Sequence, residues 1–596
     1  PAGSTLAAPL VVARQFSIMK LRVQVFVFLV SFVSATFCHA GGGMQPERAE
    51  KGMVASVHVL ASEAGVEMMK AGGNAIDAAV ATGFALAVVH PSAGNLGGGG
   101  FMLIRMNAGD THFIDFREKA PGKAHAKMYQ DENGEVVPQL SRLGYLAVGV
   151  PGSVKGLVHA QNKLGKLPLK RVMAPAIRLA REGYALDWSD ARSLTNDSGL
   201  ARFPDSQRIF QNGGKGWKQG DIFKQPELAR TLERIADSPD DFYTGKMAKE
   251  IAEFMQAGGG LITVDDLRNY DVVERTPVRG TYRGLDIISA PPPSSGGIAL
   301  VETLNILEDF DIAKAGFNSA ESIHLITEAY RRAFYDRAQF LGDPEFSELP
   351  VIELTEKKYA AAWRASIDPQ RASRSARLER PNISDTLAAY AKKNPIEATA
   401  REPNETTHYS VVDEAGNAVA VTTTLNGGYG SKVTIGSLGF LLNNEMDDFA
   451  SKVGVPNMFG LIQGEANLVG PNKRPLSAMT PTIVLKDGKL WLVLGSPGGP
   501  TIITTVANIL IGVADFGLDI QQAVNAPRFH HQWMPDQIRL ERNRFSPDTV
   551  RILEAKGHSI VYGLGGDGEC IQIDLASGLR LGASDARNAA GKAVGY

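Results

Sequence analysis

In the stretch NETTHYSVVDEAGNAVAVTTTLNGG, two adjacent threonines precede a short run and three more follow it. Threonine suits strands because its branched Cβ packs well on a pleated surface, so ordinary β-propensity accounts for much of this grouping. The alternation on either side of EAGN reads as a hairpin. With the turn at Glu414–Asn417, Asp413 faces Ala418 and Thr407 falls opposite Thr424. Allowing one residue of play, Thr406 and Thr424 share one end of the hairpin, with Asn426 just beyond. The spacing brings two hydroxyls and an amide together without choosing between Thr406 and Thr407.

A threonine hydroxyl is a poor nucleophile until a base takes its proton. If the bond between Glu405 and Thr406 were cut, the new α-amino group of Thr406 would have a pKa of roughly 7.7 to 8 and could activate its own hydroxyl. The preceding segment, from about Arg377 to Glu405, is rich in charge and proline and is expected to be exposed and mobile, which suits such a cut. Acyl transfer also needs donors for an oxyanion. GSPGGPTIITT places Gly498 and Gly499 between a strand end and a helix start, either as such donors or as a plain connecting turn.

Other groupings carry less. GNLGGGG looks like a phosphate loop, but it leads into a strand and lacks the lysine and hydroxyl residue of a P-loop. His530 and His531 are adjacent and would face opposite ways in an extended segment, which favours a structural pair over a metal site. Asp447 and Asp448 could hold a divalent ion, line a solvated loop or clamp a cationic ligand group. Arg117 could fork onto a carboxylate, although beside Asp115 and Glu118 it also reads as a surface ion pair. Cys570 sits in a glycine-rich turn before a strand and reads as a packed thiol.

These residues need a frame, and the pattern supplies an α/β one. ASEAGVEMMKAGG is expected as a helix closed by Gly72 and Gly73, and Asn74 as the N-cap of a second helix, AIDAAVATGFALAVVH, apolar nearly all round. FMLIRM and THFIDFRE read as strands, RVMAPAIRLAREG and IHLITEAYRRAFYD as helices, LWLVLGSPGG as a buried strand and TIITTVANILIGVADFG as a helix. At 596 residues, 44% hydrophobic and 21% charged, the chain is globular by composition. Its net charge of -2 becomes about -5 without Arg14, Lys20 and Arg22, so nucleic acid is not attracted by charge. Residues 19–40 read as a secretory signal, with Lys20 and Arg22 ahead of an apolar run and Ala40 before a cut; the run is short for a stable membrane anchor. Residues 1–18, ahead of Met19, are read as upstream sequence without a fold role. The expected location is the periplasm or outside the cell.

The motifs NETTHYSVVDEAGNAVAVTTTLN, LLNNEMDDF, GPNKRPLSAMTPTIV, GSPGG and APRFHHQW, in that order between about Val54 and Tyr596, resemble bacterial γ-glutamyltranspeptidases, also called glutathione hydrolases. The resemblance implies an Ntn-hydrolase, a four-layer αββα sandwich made as a proenzyme that cleaves itself into a large subunit, 41–405, and a small catalytic one, 406–596. It selects Thr406 as nucleophile after cleavage behind Glu405, with Thr424 in support and Gly498 and Gly499 as oxyanion donors. Arg117 and Ser477 would take the α-carboxylate of a γ-glutamyl donor such as glutathione, while Asn426, Glu445 and Asp448 would take its ammonium. The acyl group would pass to water or to an amino acid or dipeptide, with no cofactor or metal.

Two positions depart from the family pattern. Ala478 stands where a second serine is common, leaving only a backbone donor there beside Gly499. Phe459 replaces a tyrosine frequent in bacterial relatives, so no phenolic latch to Asn426 can form and a looser lid is expected. A related acylase acting on cephalosporin side chains is the alternative in the same class, and an exported binding protein with an intact chain is the alternative outside it.

Overall fold

The computed structural model describes Gly3 and residues 44–382, 384–393, 406–563 and 565–596. The signal segment 19–40, the rest of 1–18 and Glu405 lie outside the described residues. A small amino-terminal unit ends at Gln45, and the sheets and helices belong to the unit Pro46–Tyr596.

Cap chemistry starts the first helices. His58 accepts from the Leu60 N–H at the head of helix Val59–Lys70. Asn74 accepts from Ile76 and Asp77, and Asp77 accepts in return from the Asn74 N–H at 2.7 Å, a reciprocal cap for helix Ala75–Val89. Such a cap contributes about 1 kcal/mol. Every residue of that second helix is buried, as its all-round apolar sequence requires.

The helices lie on a seven-stranded antiparallel sheet ordered Lys592–Gly595, Met53–Ser56, Thr407–Val412, Ala418–Thr424, Gly99–Arg105, Thr111–Asp115 and Val273–Arg275. Side chains alternate across it with period two. Tyr409, Val411, Val419 and Val421 join the core under helices Val59–Lys70 and Ala75–Val89. Val412, Ala418 and Ala420 face the other way, into a core shared with the second sheet. That sheet, also seven-stranded, is built around Lys489–Leu494, Thr482–Lys486 and Leu285–Ser289, and helices Gly296–Leu307, Ala320–Phe340 and Thr501–Ala514 share its core. The order helix, sheet, sheet, helix is the expected αββα sandwich. Ser410 Oγ donates to the Glu569 carbonyl at 2.7 Å, one hydrogen bond joining strands of the two sheets.

The hairpin register differs by one residue from the sequence expectation. Val412 pairs with Ala418, and Thr407 pairs with Thr423, not Thr424. The turn holds five residues because Asp413 folds back over it, its carboxylate accepting from the backbone and side-chain N–H groups of Asn417. The same carboxylate accepts from the Ala75 N–H at 2.9 Å, tying the turn to a helix start. Thr406 and Thr424 therefore end their strands side by side.

The glycine run lies against that strand end. A Cβ on Gly98 would stand 2.0 Å from the Thr424 carbonyl oxygen, and one on Gly99 would stand 2.4 Å from Glu118 Oε2. These glycines permit close backbone approach, which is why the run resembles a phosphate loop without its polar residues. Residues 377–382 and 384–393 are more ordered than their composition implies. Arg380 pairs with buried Asp336 at 2.6 Å, and residues Asp385–Lys393 form a helix whose Leu387 is buried. One apolar side chain and a buried ion pair outweigh the polar average there; 394–405 lie outside the described residues. Among the described residues, no helix is long and apolar enough to cross a membrane.

Because the obstacle at Gly98 is backbone, Gly98→Ala should lower stability by about 1–3 kcal/mol, read as a reduced denaturation midpoint. Ala93→Gly, in the same loop, should lower it by less.

Candidate active site

Thr406 precedes strand Thr407–Val412, and its Oγ1 lies 3.4 Å from Oγ1 of Thr424. The strand alternation aims both hydroxyls between the sheets, on the face of Ser410 and Val412. Thr407, one residue on, points to the helix side, fully buried, with an Oγ1 that has no hydrogen-bond partner among the described residues. The structure thus distinguishes the neighbours that hairpin spacing left equivalent. Thr424 Oγ1 accepts from the Asn426 N–H at 2.8 Å, with Asn426 in the left-handed region at φ 77°.

Asn95, which sequence reasoning missed, holds this strand end from behind. Its amide donates to the Thr424 and Ala93 carbonyls, each at 2.8 Å, and its Oδ1 accepts from the Gly98 N–H and the Ser153 hydroxyl. Its place in the glycine-rich loop was visible in the sequence; its partner 329 residues away was not.

Across the opening, Gly498 and Gly499 occupy φ 126° and 54°, conformations that favour glycine, immediately before helix Thr501–Ala514. Gly499 lines a cavity with Thr406, Thr424 and Asn426. Backbone N–H groups at a helix start favour negative charge. The cavity also contains Phe459, Leu461, Ala478 and Ile502, which give it an apolar side.

Its polar side is a buried charge cluster. Arg117 is 1% exposed, so the surface ion pair is corrected: the sequence around it gives no sign that strand ends and the 445–448 turn close over the guanidinium. Its Nη1 lies 2.5 Å from Glu445 and its Nη2 2.5 Å from Asp448, while Nε donates to the Pro475 carbonyl at 3.3 Å. Burial opposes the charge on Arg117, but Glu445, Asp448 and Glu118 outweigh it and hold the guanidinium charged. Burial pushes the Glu118 carboxyl up to about 7 and raises Glu445 further. The two interact directly, and two acceptor groups in contact need a proton between them. Asp448 is raised by burial as well, against the opposing charge of Arg117.

Ser477 is fixed by the backbone. Its N–H donates to the Pro293 carbonyl, and its carbonyl accepts from both the N–H and the hydroxyl of Ser295. Ala478 beside it contributes no hydroxyl. Phe459 is buried in its segment without a phenol: Asn457 Oδ1 accepts from the Phe459 and Leu461 N–H groups, and Asn457 Nδ2 donates to Asp448 at 3.3 Å. Asn426 meets this segment through Met458 Sδ at 3.6 Å and otherwise donates to the Asn444 carbonyl.

Sequence reasoning also missed Arg337, a buried lining residue from the last turn of helix Ala320–Phe340. It falls just past the run IHLITEAYRRAFYD that reads as a helix, and no motif marks it. Asp447 turns away from the cavity to Ser141 and Arg142. His530 and His531 are buried structural residues, bonded to Thr504, Gln532 and Asp536. Burial pushes the Cys570 thiol up to about 12, in keeping with a packed residue. His324, Glu328 and His558 bring ligand atoms within 4.8 Å of one another. The imidazoles bond each other at 2.8 Å, and Glu328 pairs with Arg331 and Arg332, whose charges oppose a bound cation.

The sequence profile of the family described as gamma-glutamyltranspeptidase matches residues 61–595. A glutathione hydrolase proenzyme of Escherichia coli K12 is 50% identical over 555 residues, covering 92% of this chain and 93% of that protein. A cephalosporin acylase from Bacillus halodurans superposes with a TM-score of 0.79 at 27% identity, over 93% of this chain and 97% of that one. A γ-glutamyltranspeptidase chain from Helicobacter pylori is 43% identical with a TM-score of 0.54, over 55% of this chain and 95% of its own.

A carboxyl that is neutral when folded stabilises most at low pH, where it is protonated in both states. That stability is lost as pH rises from the ordinary carboxylate range through about 7 for Glu118. Glu118→Gln should remove this dependence, so its unfolding free energy in denaturant titrations should fall less than the parent's between about pH 5 and about pH 8, the difference reaching on the order of 2 to 3 kcal/mol.

Proposed function

The chain belongs to the γ-glutamyltranspeptidase family of self-processing N-terminal-nucleophile hydrolases, and on that basis we propose that Thr406 is the residue that both cleaves the precursor and transfers the γ-glutamyl group. The observation that carries this reading is the 3.4 Å approach of Thr406 and Thr424 in one cavity with Arg117, Asp448 and Gly499.

In the precursor, the Thr406 hydroxyl attacks the carbonyl carbon of Glu405, the peptide becomes an ester by an N-to-O shift, and water hydrolyses that ester, which severs the covalent link between the large subunit, 41–405, and the small one, 406–596. The freed α-amine then serves as the base. It takes the Thr406 proton as Oγ1 attacks the γ-glutamyl carbonyl, and Thr424 orients the hydroxyl. The N–H groups of Gly498 and Gly499 receive the oxyanion; one such donor is worth about 2.7 to 4 kcal/mol in a transition state. Collapse expels the leaving amine and leaves a γ-glutamyl ester on Thr406. Water or an amino acid or dipeptide amine attacks that ester.

Arg117 and Ser477 orient the α-carboxylate, and Asn426, Glu445 and Asp448 the ammonium. Glutathione and other γ-glutamyl compounds fit this pattern as donors. Phe459 acts as the lid residue, and without a phenolic bond to Asn426 the lid opens more readily to acceptors. The site uses no metal or organic cofactor. Residues 19–40 direct export to the periplasm and are then removed.

A second reading, an acylase for glutaryl-type amides, follows the likeness to the Bacillus halodurans cephalosporin acylase; a glutaryl group keeps the carboxylate and lacks the ammonium. The buried acids Glu445 and Asp448 argue instead for a donor with an ammonium. Relative kcat/KM on γ-glutamyl and glutaryl amides should favour the γ-glutamyl donor, and Asp448→Asn should shrink that preference.

Denaturing electrophoresis of the purified protein should give two fragments, the smaller beginning at Thr406 by end sequencing. Thr406→Ala should remain one chain; normal processing of that variant would sink the assignment. Thr424→Ala should lower kcat by about 10²-fold, with processing slowed as well. Phe459→Tyr should change the dependence of rate on acceptor concentration, and an unchanged dependence would count against the lid role.

A further inference from the structure

We infer that Arg337 is a second cationic contact for the α-carboxylate of the donor, an inference that rests on the γ-glutamyl reading of the cavity. Arg337 is 1% exposed, reaches the cavity from helix Ala320–Phe340, and donates through Nε to Ser295 Oγ at 2.8 Å. Its Nη1 and Nη2 are buried and have no hydrogen-bond partner among the described residues. Arg117 presents the opposite situation, with both terminal nitrogens occupied by carboxylates at 2.5 Å.

That difference bears on how an anion enters. A carboxylate arriving at Arg117 meets a cation already surrounded by Glu445, Asp448 and Glu118. Among the described residues Arg337 has no close counter-ion; Asp448 is the one charged group that acts on it, and burial brings the guanidinium down to about 10, still charged at neutral pH. A buried guanidinium with two open N–H edges is costly unless a ligand completes it, and a planar fork matches a carboxylate.

Position specifies the carboxylate end of the donor. Ser295, which holds Arg337, bonds the Ser477 carbonyl through both its N–H and its hydroxyl. Arg337 is thereby fixed to the wall formed by Ser477 and Ala478, where the α-carboxylate is received. It supplies donors on the side where Ala478 offers no hydroxyl. The ammonium, drawn to Glu445 and Asp448, is repelled from Arg337.

The test compares the self-processed parent with Arg337→Gln and Arg337→Lys. With a γ-glutamyl anilide, Arg337→Gln should raise KM about tenfold or more and leave kcat within about threefold, the pattern of lost binding common to ground and transition states. The inhibition constant of L-glutamate should rise in parallel, and Arg337→Lys should be intermediate. An unchanged KM, or a fall in kcat with KM unaltered, would overturn the assignment. If Arg337→Gln is not processed, the same comparison is made with Arg337→Lys. If the parent hydrolyses no γ-glutamyl amide, the functional reading fails by itself. Thermal stabilisation by L-glutamate then decides the inference: a shift lost in the variants supports it, and an equal or absent shift overturns it.

Discussion

The pairing of Thr407 with Thr423 determines where the Thr406 and Thr424 hydroxyls stand. Because side chains alternate along a strand, a slip of one residue would send Thr406 or Thr424 to the helix side and separate the hydroxyls. Two features hold the register. At one end Asp413 closes the turn and also caps Ala75. At the other, Asn95 grips the Thr424 carbonyl, and Gly98 lets the neighbouring backbone approach it. Helix, glycine run and turn thus act on the same pair of oxygens.

Electrostatics forms the second layer of this design. Arg117 sits among three carboxyls inside the protein, an arrangement in which each charge is tolerated because of the others. Glu118 and Glu445 relieve part of the surplus by retaining a proton. An α-amino acid head group carries both signs and can enter such a site without changing its net charge. The apolar residues Phe459, Leu461 and Ile502 keep the dielectric low and strengthen these contacts.

Much of this was legible in the sequence because the signals were local. Asn74 declares a cap, the apolar continuity of Ala75–Val89 declares burial, and the alternation around EAGN declares a hairpin. The motif resemblance named residues from separate segments of the chain, Arg117, Thr406, Glu445, Ser477 and Gly499 among them, that line one cavity. Failures came where a distant partner decides. The exact register needed the Asp413 side chain, which lengthens the turn by one residue. Arg117 looked superficial because its buried surroundings come from residues more than 300 positions away. Asn95 and Arg337 carry no local mark, since each matters through what it meets across the fold. Helix Asp385–Lys393 was hidden by a charged composition that a single buried leucine overrides.

The first sheet interleaves strands from both sides of residue 405. Met53–Ser56, Gly99–Arg105 and Thr111–Asp115 come before it; Thr407–Val412, Ala418–Thr424 and Lys592–Gly595 come after. Thr407–Val412 pairs with Met53–Ser56 on one edge, and Ala418–Thr424 pairs with Gly99–Arg105 on the next. Cutting the chain behind residue 405 therefore removes a covalent link while leaving this hydrogen-bonded weave in place. Pulling the products apart would open the central sheet, so dissociation and denaturation become one event. Dilution alone gives neither fragment a folded state of its own to escape to.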